Sequence, residues 1–170
     1  MKLTTKQLTL CAVLTALALA LSYLESLFPL SLAIPLPGVK LGLANIVTMY
    51  ALCTLGAGPA FLILLCRCVL GGLFAGNASA LLYSLLGGVF ALAVEAFLLG
   101  VCGKLSVFGV SMGGAAAHNC GQVCAAIVAL GTATPLVYLP ALLGVSLFTG
   151  ALTGFIVSLL LRSLRRTAQA

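Results

Sequence analysis

Nine side chains in this sequence carry groups that can bind or orient a small molecule: Glu25, Lys40, Asn45, Arg67, Asn77, Tyr83, His118, Asn119 and Gln122. Each carboxamide offers a donor and an acceptor, a neutral imidazole offers one of each, and Lys40 and Arg67 are cations suited to neutralise an anionic group. Their setting makes them conspicuous. "PGVKLGLANIVTMY", from Pro37 to Tyr50, places an ammonium and a carboxamide in a run that is otherwise small or apolar. "AHNCGQ" sets His118 and Gln122 four residues apart, hence on one face of a helix, with Asn119 beside them. Such groups are costly in lipid and usually face a bundle interior or a water-filled cavity. The alternative use is a hydrogen bond between helices, worth about 1 kcal/mol or somewhat less per pair in a membrane. Glu95 completes the ionisable set; it and Glu25 are the candidate ion-pair partners of Arg67, and the spacing neither requires nor forbids a proton relay through Glu25, Glu95 or His118.

The elements that position these groups follow from composition. Of 170 residues, 63% are hydrophobic and 6% charged, against about 25% charged in soluble domains. A chain of this size cannot hide that much apolar surface from water, so its solvent is lipid. The apolar runs do not alternate with polar residues as barrel strands would, which leaves helices that pair their own backbone groups. The expected fold is an all-α membrane protein, a single integral domain over residues 1–170. Its bundle of six transmembrane helices is expected at about 7–28, 39–55, 59–75, 79–100, 107–130 and 135–161.

Six spans also sort the charges. Lys2, Lys6, Lys104, Arg162, Arg165 and Arg166 then fall on one side, which the positive-inside rule makes cytoplasmic, together with both termini. The opening lysines and apolar run resemble a signal peptide, but the run continues past the usual length, and a retained first span is expected. The net charge of +6 is spread thinly without a basic helical stripe, so membrane lipid is the expected surrounding and nucleic acid is not a partner.

Projected onto these spans, Glu25, Lys40, Asn45, Asn77 and Tyr83 lie in the outer half. Arg67, His118, Asn119 and Gln122 lie toward the middle, and Glu95 lies in the inner half. The nine are expected to line a pocket opening outward. The apolar connection from Pro29 to Lys40, with prolines at 29, 35 and 37, reads either as a lid over that pocket or as a packed connector. Ala12, Ala16 and Ala20, at four-residue intervals, form a small-residue stripe that lets another helix approach closely. It serves either internal packing or the docking of a partner subunit.

Absences bear on chemistry. The sequence has no aspartate, no phosphate loop and no acidic clusters to hold magnesium against a diphosphate. No nucleophile stands with an oriented base, so no catalytic residues, cofactor or enzymatic activity are expected. The seven cysteines lack paired spacing. Cys120 and Cys124 share a helix face without a further ligand, which reads as packing rather than as a metal site.

The segments "YLESLFPL", "IPLPGVKLGLAN", "VLGGLFAG", "LLYSLLGG" and "GVSMGGAAAHNCGQ" resemble a bacterial family that carries two names, the Gx transporter family and heptaprenyl diphosphate synthase component I. The resemblance covers nearly the whole chain. That family is in turn similar to the substrate-binding S components of energy-coupling factor (ECF) transporters. The resemblance implies a six-helix binder of an isoprenoid, quinone-precursor, flavin-like or vitamin-like molecule in the bacterial cytoplasmic (inner) membrane. It also implies a lid in the place of the 29–40 connection. Alanines at the spacing of Ala12, Ala16 and Ala20 would meet a transmembrane coupling subunit that works with ATPases. The synthase name implies a different role, a non-catalytic accessory component of polyprenyl diphosphate synthesis.

Overall fold

The structure, a computed structural model, describes residues 4–27, 42–101 and 105–167, with side chains through 164. Six α-helices follow one another: α1 Thr5–Leu27, α2 Leu43–Leu55, α3 Ala57–Ala75, α4 Ala78–Val101, α5 Val107–Leu130 and α6 Leu139–Thr167. A 3-10 turn, Thr134–Tyr138, precedes α6, and no strand occurs among the described residues. That turn occupies the place where the sequence reading starts its sixth span, and α6 runs on beyond residue 161. The reversals are tight because glycines close them. Gly131 ends α5 at φ +67° and Gly76 ends α3 at φ +59°, a left-handed conformation in which a Cβ would be strained.

The shortest helix is the most enclosed. α2 packs against α1, α3, α4 and α6, and Ala44, Ile46, Val47, Thr48, Met49, Ala51 and Leu52 are all buried. Ile63 and Leu64 of α3 meet it in the core. At 1.5 Å rise per residue α2 is about 20 Å long, less than the roughly 30 Å hydrocarbon core of a bilayer.

The outside of the bundle is apolar. α1 turns Cys11, Leu14, Thr15 and Ala18 inward, while Leu8, Val13 and Leu17 are exposed. Phe148 on α6 is 80% exposed. Four helical segments, Thr5–Leu27, Ala57–Ala75, Ala78–Val101 and Thr134–Leu164, are long and apolar enough to cross a membrane, and only 22% to 33% of their most apolar windows is buried. Long apolar helices that leave most of their surface uncovered have lipid as their natural solvent. α5 is not among the four; it carries His118, Asn119 and Gln122 midway along its length.

In lipid the helices gain little from hiding apolar surface, so close van der Waals contact holds them, and small residues permit it. α4, α5 and α6 run antiparallel in sequence order and meet through glycines. A Cβ added at Gly121 of α5 would stand 2.6 Å from the Leu86 carbonyl oxygen of α4. One added at Gly150 of α6 would stand 2.7 Å from Met112 Cα, and one at Gly154 2.8 Å from Phe108 Cα. Gly144 has nothing within 4 Å of such a position. Gly121→Val is therefore expected to destabilise the bundle by about 1–3 kcal/mol, as overpacking does. Gly144→Val should shift thermal unfolding in detergent by less than about 0.5 kcal/mol. Equal effects would show that backbone approach at Gly121 does not hold α4 to α5.

Candidate functional site

A polar seam crosses the core from α1 to α5. Gly42 precedes α2 at φ +77°, and its N–H donates to Glu25 Oε1 at 2.8 Å, tying the end of α1 to the start of α2. Asn45 follows in the first turn of α2. Its Oδ1 accepts from Arg67 Nη2 at 3.0 Å, and its Nδ2 stands 3.5 Å from His118 Nδ1. One carboxamide thus joins α2 to α3 and reaches α5. Arg67 is only 8% exposed, and its Nε has no hydrogen-bond partner among the described residues. The partner at hydrogen-bond distance is the Asn45 amide, not a carboxylate as an ion pair would require.

Glycines make the hollows in which these side chains lie. A Cβ at Gly88 of α4 would meet Leu64 and stand 3.4 Å from Arg67 Nη2. One at Gly87 would stand 2.8 Å from His118 Cε1 and 3.1 Å from Gln122 Cγ. The buried Glu95 carboxylate lies where a Cβ at Gly114 of α5 would go. The glycine pair at 87 and 88 thus serves close contacts with α3 and α5.

A separate cavity of about 440 Å³ opens at the end of the bundle where α5 passes into α6. The first turns of α4 contribute Asn77, Ser79, Ala80 and Tyr83, and α5 contributes Gln122, Val123, Ala126 and Leu130. Thr134, Pro135, Tyr138 and Leu142 close it from the turn and the start of α6. Gln122, Val123, Pro135 and Leu142 are buried, while Asn77, Ser79, Leu130 and Thr134 are exposed. The wall thus has a closed, mainly apolar floor and a more polar rim. Asn77 has a second task there: its Oδ1 accepts from the Ser79 and Ala80 N–H groups at 2.9 and 3.4 Å, capping α4.

The nine residues that the sequence singles out are not drawn around one void. Asn77, Tyr83 and Gln122 line the cavity. Glu25, Asn45, Arg67 and His118 form the seam. Asn119 donates from Nδ2 to the Leu142 carbonyl at 2.7 Å, holding α5 to α6. With Asn45, His118, Thr149 and Thr153 it also borders a void of about 20 Å³, room for a single water. Arg67 is kept out of the cavity wall because Asn45 holds it and Gly88 seats it. Lys40 and the 29–40 connection lie outside the described residues. Ala12, Ala16 and Ala20 are exposed on the outer face of α1.

Sequence reasoning missed the apolar half of the cavity. Ala126, Leu130 and Leu142 are of the same types as lipid-facing residues, and nothing in their spacing separates the two. Tyr138 and Pro135 do carry a signal, since an aromatic ring and a proline in the short "TPLVY" turn mark a structured connection.

These features define an all-helical protein with four helical segments long and apolar enough to cross a membrane, a hydrogen-bonded polar seam in its core and a mainly apolar cavity at one end. The family model described as heptaprenyl diphosphate synthase component I matches residues 14–160, and the chain belongs to that family. The match takes in every described residue of the seam and the cavity. No curated protein and no solved structure matches the chain.

Asn45→Ala removes the amide from a buried guanidinium and is expected to cost about 1–3 kcal/mol of stability. In an Arg67→Met background the same change should cost at least about 1 kcal/mol less, since the two groups contact each other. Thermal unfolding of the four proteins of this cycle measures the difference. Additive losses would contradict the bridging role of Asn45.

Proposed function

We propose that this protein is a membrane substrate-binding subunit, similar to an ECF S component, for uptake of a small molecule. The cavity between α4, α5 and α6 carries the reading. It has the volume of a small-molecule site and the usual composition, mostly apolar with a few placed polar groups. In this reading all six helices cross the bacterial cytoplasmic membrane and both termini are cytoplasmic. The cavity then faces outward, because the chain passes from α5 to α6 at the end opposite its termini. Vitamin-like, flavin-like and isoprenoid- or quinone-precursor-like molecules are the candidate substrates. The subunit catalyses nothing itself. Ala12, Ala16 and Ala20 form the docking face for a transmembrane coupling subunit with its ATPases, and their exposure on α1 supports that role.

A second reading rests on the family match: a non-catalytic accessory membrane component of polyprenyl diphosphate synthesis. Co-purification with a soluble synthase, and loss of polyprenyl product on deletion without loss of any uptake, would favour it.

Native mass spectrometry of gently purified protein tests the first reading and should find a retained small molecule. Ala16→Trp is expected to abolish uptake while leaving that molecule bound, since position 16 faces away from the bundle. Equal loss of binding and uptake would assign the stripe to the fold rather than to docking.

A further inference from the structure

The cavity wall restricts the kind of molecule that fits. We infer that the cavity takes an uncharged, largely apolar molecule about 12 Å long, with one polar end hydrogen-bonded to the Gln122 carboxamide. This rests on the cavity being the binding site. None of the described side chains lining the cavity is charged. The buried cation nearest in the sequence pattern, Arg67, lies on α3, which contributes nothing to the wall and gives its Nη2 hydrogen bond to Asn45. An anionic group on this floor would lose its water without gaining a counter-charge from any described lining residue, a cost that excludes it.

Depth sets length and polarity. Gln122 and Leu130 are eight residues apart on α5, about 12 Å along the helix, and both line the cavity. Between them lie Val123 and Ala126, with Leu142 also in the wall. Asn77, Ser79 and Thr134 stand at the exposed rim and Gln122 at the floor, with the rings of Tyr83 and Tyr138 also in the wall. Gln122 is 5% exposed, and its Oε1 has no hydrogen-bond partner among the described residues. Its Cγ packs over Gly87, where a Cβ would stand 3.1 Å away. A buried carboxamide without a full set of hydrogen bonds favours an occupant that supplies one.

A matched probe pair tests this on the full-length protein in nanodiscs of zwitterionic lipid. N-phenyl-1-naphthylamine is uncharged with one N–H; 8-anilinonaphthalene-1-sulfonate has the same aryl frame with a sulfonate. Both brighten in apolar surroundings. Ala126→Trp and Ala80→Trp fill the cavity from opposite sides and define the background, each checked for an unchanged elution volume. The uncharged probe should give a saturable signal that both tryptophan variants abolish. Gln122→Leu, which keeps the side-chain volume and so the fold, should weaken it at least about fivefold, as the loss of one hydrogen bond does. The sulfonate should bind at least about tenfold more weakly, given the cost of burying an unpaired charge. Equal or tighter binding of the sulfonate would overturn the ligand class and leave the binding reading standing. Undiminished affinity in Gln122→Leu would overturn the role of the amide. No tryptophan-sensitive signal from either probe would overturn the binding reading itself.

Discussion

A guanidinium buried in a bundle whose outside is lipid has only the protein to hydrogen-bond it. Arg67 meets part of that demand with the side chain of Asn45, its Nε having no partner among the described residues, and much of the architecture follows. Asn45 must stand in the first turn of α2, so α2 must lie in the middle of the bundle. α4 must offer glycine where the guanidinium and Leu64 press against it, and does so at Gly88. Asn45 extends the connection to His118, and the neighbouring Gly42 receives Glu25. Four helices are thereby tied together by polar contacts.

The seam and the cavity are distinct but adjoin through α5. His118 belongs to the first and Gln122 to the second, one turn apart on the same face, and both lie over Gly87. A molecule resting against Gln122 is therefore one helical turn from the contact that holds Asn45. Through Gly42 and Glu25, Asn45 is in turn close to the junction of α1 and α2. The chemistry divides in the same way. The Arg67 guanidinium sits in the seam, held by the Asn45 amide, and the described lining of the cavity carries no charged side chain.

How much of this the sequence discloses depends on contrast. Helices are legible because long apolar runs without alternation leave no other structure that pairs its backbone in lipid. Asn45, His118 and Gln122 are legible as interior groups because a carboxamide or imidazole in such a run stands out. Their grouping is not, since it depends on how the helices rotate against each other, and every face of these helices is apolar. Cys11, Leu14, Thr15 and Ala18 turn inward on α1 while Ala12, Ala16 and Ala20 turn outward, yet both sets read alike. Ala126 and Leu142 are hidden from sequence reasoning for the same reason. Asn77 is a different case: an asparagine just before a helix is a recognisable cap, and that role is the one it fills.

The most direct test is an experimental density map of the protein extracted gently from its native membrane. The account predicts density for a small molecule between Tyr83, Val123 and Leu142, touching the Gln122 amide, with Arg67 still on Asn45. A map in which side chains fill that space, or in which Arg67 leaves Asn45 to enter it, would contradict the account.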